Sequence, residues 1–163
     1  MAPEMENAAY VGVLAIAIGA VALLTGHYAV LLALAPTVYL LGTSDEREIT
    51  GTTVLTTHLL AVVAGVIAYL LFAQGIDPLS VEAQSSAAFR VILSPICALI
   101  LTGIGLALLD EQFVTAHVMT TIVALGLLRT PQALGTLILS IALLASIHTL
   151  FGKFDSTDGQ LTT

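Results

Sequence analysis

The sequence predicts an all-α, polytopic membrane protein: six transmembrane helices arranged as two inverted three-helix repeats, with helices 2 and 5 short or broken. Three observations carry this expectation. First, 58% of the 163 residues are hydrophobic and only 9% are charged, and the mean hydropathy is +1.04. A soluble domain of this size has too little interior for that much apolar surface, so the surrounding medium is lipid. Second, the charged residues fall almost entirely between the apolar runs, as they do when each run spans a bilayer. Third, the chain resembles itself at an offset of 84 positions. The stretch from Pro36 to Ala64 then meets Thr120 to His148 without a gap, pairing Leu41-Gly42 with Leu125-Gly126 and Gly51-Thr52 with Gly135-Thr136. Ile16, Gly19, Leu24 and Val30 extend the match to Ile100, Gly103, Leu108 and Val114.

Taken in order, the predicted helices cover about 8–25, 27–42, 52–73, 88–109, 113–129 and 132–152, with ends good to about 2–4 residues. They form one membrane domain: repeat 1 over about 8–73, a linker at about 74–87, repeat 2 over about 88–152 and a polar tail at 153–163. The N-terminus carries Glu4 and Glu6 and no basic residue, so the first run reads as a retained helix and not a signal peptide. Ala15 and Gly19 in helix 1, like Ala61 and Gly65 in helix 3, are small residues four apart and predict helix–helix contact faces. Asp45, Glu46, Arg47 and Glu48 mark the loop before helix 3. The linker offers Asp77-Pro78 as the start of a short surface helix. The tail from Lys153 is expected to be disordered. With Arg47 and Lys153 on one side and Arg90 and Arg129 on the other, the positive-inside rule has no bias to act on.

An odd number of crossings per repeat turns the second copy upside down. Inverted repeats of that kind characterise secondary transporters and some channels, with a substrate site near the midplane where the halves meet. The polar residues at that level are the candidate site: Pro36, Thr37, Thr57, His58, His117, Thr120 and Thr121. A helix restarting at Pro36 would aim free amides at an anion, whereas a tolerated kink would leave the threonines bonded to their own backbone. His58 is the ionisable residue well inside helix 3, and such groups at membrane depth tend to face a cavity or the bundle interior. His27, His117 and His148 read better as structural histidines. The lone Cys97 reads as a small apolar residue. No metal motif, phosphate loop or catalytic triad is present in the sequence, which gives no indication of an enzyme and calls for no cofactor. The net charge of −7 argues against a nucleic-acid partner.

Ala35-Pro36-Thr37-Val38, a loop and Thr56-Thr57-His58 follow the layout of a Gly-Pro-Ser-Ala run, a loop and a Gly-Gly-His run. In the second half Phe113-Val114-Thr115-Ala116, Met119-Thr120 and Leu125-Gly126 stand where a His-Pro-Pro-Ala run, an Ala-Thr and a Leu-Gly would stand. In this layout, over about residues 10–152, the chain resembles the HPP family of small integral membrane proteins, although the His-Pro-Pro motif itself is absent. The resemblance implies a polytopic protein and, as in some members, nitrite transport. The expectation is therefore a multi-pass protein of the plasma or cell membrane. It would facilitate passage of a small solute, a monovalent anion such as nitrite, and work as a homo-oligomer in the lipid bilayer. The alternatives are a non-transporting membrane subunit that docks partner helices, and a haem-bearing electron carrier.

Overall fold

The computed structural model describes residues 3–43 and 49–158, with side chains for 5, 7–43 and 49–151. The charged loop Asp45–Glu48 and the last five residues of the predicted tail lie outside the described residues. Within them the chain is all-helical: α1 Pro3–Thr25, α2 Ala29–Thr43, α3 Gly51–Ala68, α4 Ser86–Leu108, α5 Val114–Ala124 and α6 Pro131–Asp158. A π-helical turn at Tyr69–Ala73 prolongs α3. Four helices are long and apolar enough to cross a membrane, over Asn7–Thr25, Gly51–Ala73, Ser86–Leu108 and Pro131–Phe151. The chain thus has the build of an integral membrane protein. The two short helices have 15 and 11 residues. At 1.5 Å per residue they measure about 22 and 16 Å, less than a ~30 Å hydrocarbon core.

Hydroxyl side chains start three of these helices. Thr50 Oγ1 accepts from the Thr53 amide at 3.1 Å, Ser85 Oγ from Ala88 at 3.0 Å, and Thr130 Oγ1 from Ala133 at 3.1 Å. Each satisfies an amide that the first turn leaves open. Pro131 follows its cap at the first helical position, where a missing N–H costs nothing. Glycine ends two of them: Gly26 after α1 and Gly126 after α5 have φ of +73° and +77°, a conformation open to Gly at no steric cost.

The structure departs from the predicted elements at five places, one being α5, which ends at Ala124 and not near 129 because the chain turns at Gly126. α2 runs unbroken through Pro36, whose ring is held inside a continuous helix, so no helix N-terminus opens at Thr37. α1 begins at Pro3, and α6 continues through Asp158 where a disordered tail was expected, because no Pro or Gly stop follows Gly152 before that point. The Asp77-Pro78 linker forms turns and no helix, with Asp77 Oδ1 accepting from the Leu79 amide at 3.3 Å.

α3 and α5 form the centre. α3 packs on α4, α5 and α6; α5 packs on α2, α3 and α4; α1 lies outside against α2 and α6. No Cα of α2 comes within 8 Å of α3, and none of α5 comes within 8 Å of α6. Each third helix therefore packs across the halves and not within its own. Ala61 and Gly65 are the predicted contact face: a Cβ on Gly65 would lie 2.8 Å from Val123 Cβ and 2.9 Å from the Thr120 carbonyl oxygen of α5. Ala15 and Gly19 are not a contact face in this chain. Ala15 is exposed and Gly19 has nothing within 4 Å, because α1 packs through Leu14, Ile18 and Ala22 instead.

The offset of 84 fits the packing of α1 and α4, where buried Leu14, Ile18 and Ala22 correspond to buried Ala98, Thr102 and Leu106. In α3 and α6 the buried faces match at 83 instead: Val54, Thr57, His58, Ala61 and Val62 correspond to Leu137, Ser140, Ile141, Leu144 and Ala145. One residue turns a helix face by about 100°, so the aligned glycines are not equivalent. Gly51 is buried against α6, while Gly135 meets nothing within 4 Å.

A buried histidine bridge and an adjoining cleft

Four of the seven predicted site residues fall into two hydrogen-bonded nodes. In the first, Thr37 on α2 and His58 on α3 are both fully buried, and Thr37 Oγ1 lies 2.7 Å from His58 Nε2. His58 Nδ1 lies 2.8 Å from the Val54 carbonyl oxygen. A carbonyl only accepts, so Nδ1 carries the ring proton, and in the neutral ring Nε2 accepts from the Thr37 hydroxyl. Thr57 Oγ1 donates to the Thr53 carbonyl at 2.7 Å and sits 3.3 Å from Nδ1. The Phe113 ring closes the node, with its centroid 5.3 Å from that of the imidazole and the planes at 72°. Because α2 and α3 have no close backbone approach, this side-chain bridge spans the gap between them. Pro36 is half-buried beside Thr37 and contributes shape and no hydrogen bond.

The second node lies where α3, α4 and α5 meet. Thr120 Oγ1 donates to the Ala61 carbonyl oxygen at 2.9 Å and accepts from Thr102 Oγ1 at 3.0 Å, all three residues being fully buried. Next to it, Ser94 Oγ donates to the Ala124 carbonyl at 2.7 Å, filling an acceptor left open at the end of α5. Thr121 belongs to neither node; it donates to the His117 carbonyl at 2.8 Å, one turn back on its own helix. The predicted set is thus divided, with Thr37, Thr57 and His58 in one place and Thr120 in another.

His117 lies apart from both, on the wall of an open cleft of about 480 Å³ at the α4–α5 turn. Asp110, Glu111, Gln112 and Phe113 line it too. Thr53 Oγ1 donates to Glu111 Oε1 at 3.3 Å, tying the turn to the start of α3. A second groove, of about 440 Å³, runs between the start of α3 and the end of α6 past Gly51, Ala142, Ala145 and Thr149.

Sequence reasoning assigned His148 a structural place, and its bonds show which: Nε2 lies 2.7 Å from the Ile49 carbonyl and Nδ1 lies 2.6 Å from Tyr10 Oη. Nε2 therefore donates and Nδ1 accepts from the phenol. Tyr10, Thr102, Ser94 and Phe113 were not singled out as candidates. Polar partners on distant helices carry no local spacing signal, and Phe113 in an apolar chain looks like any core residue. Thr115 is the exception to satisfaction: its buried Oγ1 has no partner among the described residues. The described residues contain no group of three or more His, Cys, Asp or Glu side chains arranged to hold a metal. In comparisons with known proteins the chain matches no family model, no curated protein and no solved structure.

Proposed function

We propose that the protein is a multi-pass facilitator for a small polar solute. In this reading it consists of six spans in two inverted repeats and sits in the cell membrane as a homo-oligomer. The observation that carries the proposal is the Thr37–His58 bridge. Two helices without close backbone contact are joined across their gap by a buried hydroxyl–imidazole pair at 2.7 Å. Polar groups are costly at membrane depth, and a solute able to replace one partner would separate the helices along that seam. Thr57 would line the same place, and Thr120, Thr121 and His117 would serve from the second half.

Chain direction supports the inverted arrangement. The bonds from Thr53 to Glu111 and from His148 to Ile49 gather the start of α3, the α4–α5 turn and the end of α6 at one end of the bundle. For that, α2 and α5 must each return the chain across it. Helix contacts also map onto themselves when α1, α2 and α3 are exchanged for α4, α5 and α6.

A monovalent anion such as nitrite remains the class implied by the resemblance to the HPP family. It no longer draws support from open amides at Pro36, since α2 is continuous there. A docking subunit without transport is the second reading, favoured by the bonding of the buried hydroxyls within the chain, Thr115 apart. A haem carrier gains nothing from His58 or His148, whose ring nitrogens are all engaged.

Reconstitution into liposomes tests the proposal by following nitrite, nitrate, chloride and methylammonium. Flux above empty vesicles that falls with His58→Ala and Thr37→Val supports it. Absence of flux for every probe favours the docking subunit, and flux indifferent to both substitutions moves the site elsewhere.

A further inference from the structure

We propose that the cleft at the α4–α5 turn is the mouth of the path, that the Phe113 ring plugs it, and that the mouth takes solutes bearing no negative charge. The inference rests on the facilitator reading and adds a route, a plug and a solute class to it. The key is that Phe113 belongs to two places at once. It lines the open cleft of about 480 Å³, and its ring stands edge-on to His58, centroids 5.3 Å apart. It is 3% exposed, so it fills the space between them. The Phe113 ring thus stands between the cleft and the His58 imidazole.

The Phe113 ring is held by packing alone. The residue caps α5 with extended backbone, φ −125° and ψ 90°, and its side chain makes no capping hydrogen bond. A rotation about its side-chain bonds breaks no hydrogen bond. The turn that carries it is meanwhile anchored to α3, the helix of His58, by Thr53 on Glu111.

Charge supplies the solute class. Asp110 and Glu111 line the cleft, and among the described residues its lining includes no Lys or Arg. Among the described residues His117 is the one basic group there, and it packs beside Gly103, where a Cβ would meet its Nε2 at an ordinary contact distance of 3.8 Å. Two carboxylates flanking the mouth of a cleft raise the local concentration of cations and lower that of anions. Beyond the ring, a neutral imidazole and hydroxyls offer hydrogen bonds but no fixed charge.

Cysteine accessibility in proteoliposomes tests this without knowledge of the solute. With Cys97, the sole cysteine, replaced by Ala, His117→Cys reports on the mouth and Thr57→Cys on the space behind the ring. The probes are membrane-impermeant methanethiosulfonates, one carrying a trimethylammonium and one a sulfonate. The expected result is that His117→Cys reacts, faster with the cationic reagent by on the order of tenfold. That preference shrinks toward one with Asp110→Asn plus Glu111→Gln, and in high salt. Thr57→Cys stays unreacted until Phe113→Ala is added and then reacts. Phe113→Leu, which keeps bulk but loses the ring, gives an intermediate rate and serves if Phe113→Ala does not yield monodisperse protein. An unreactive His117→Cys overturns the mouth. Equal reactivity of Thr57→Cys with and without the ring overturns the plug, and preference for the sulfonate overturns the solute class. The readout is separate from flux: the expected labelling with no flux would sink the transport reading alone, and flux with no labelling would sink this route alone.

Discussion

Thr37→Val is the most informative single substitution, because Val has nearly the volume of Thr and the change reduces to one hydroxyl. Both partners of the bridge are fully buried and lie 2.7 Å apart, so water cannot replace the lost donor and His58 Nε2 is left unpaired. An orphaned buried acceptor costs about 1–3 kcal/mol. Interhelical hydrogen bonds measured in membrane proteins average about 0.6 and reach about 1.7 kcal/mol. We therefore expect Thr37→Val to lower stability by about 1–2 kcal/mol. His58→Leu removes the acceptor as well, so in that background Thr37→Val becomes nearly neutral. The double-mutant cycle should therefore give a coupling of about 1–2 kcal/mol, the whole cost of the single substitution. The assay is reversible SDS titration in mixed micelles followed by far-UV circular dichroism. Additivity within about 0.3 kcal/mol, the level expected of independent sites, would refute the claim that the two side chains bridge α2 and α3.

Gly65→Ala should destabilise by about 1–3 kcal/mol in the same titration, since the new methyl group meets the Thr120 backbone oxygen 2.9 Å away. Gly19→Ala, with nothing within 4 Å, should instead gain up to about 1 kcal/mol from helix propensity. Thr115→Val should raise stability by about 1 kcal/mol by removing a buried hydroxyl that has no partner; a loss of that size would mean the hydroxyl is engaged. Tyr10→Phe leaves His148 Nδ1 without its donor and should cost about 0.5–1.5 kcal/mol, visible as faster amide exchange at the end of α6.

Much of the fold was legible because hydropathy reports on lipid directly: each of the six long apolar stretches is helical and most of their ends agree within a few residues, whereas the short surface helix expected at Asp77-Pro78 is not formed. Pro36 was legible as a feature but not in its effect. Proline disfavours the preceding turn, but whether a helix breaks or merely tolerates the missing bond is decided by neighbours that sequence alone does not position. The glycine correspondence at offset 84 misled for a related reason. Identity of letters ignores the face a residue presents, and Gly51 and Gly135 point to different surroundings although they align. His58 and Thr37 stood out because a polar residue in an apolar run is conspicuous. Their pairing was hidden because it joins separate helices, as were Thr102 on Thr120 and Tyr10 on His148.

Packing across the halves has a consequence for how the chain is made. When the ribosome has delivered α1, α2 and α3, the last of these has none of the helices it will pack against. The Thr37–His58 bridge to α2 can already form, but the Ala61 carbonyl and the bare backbone at Gly65 then face lipid or the insertion machinery. Only synthesis of the second half supplies their cover, so the first three helices are an unfinished intermediate with a polar flank, and degradation or chaperoning at that stage would act on α3. Conversely, a cut in the 74–85 connection, which contributes no residue to the main core cluster, should leave two fragments that find each other when co-expressed and are each lost when made alone.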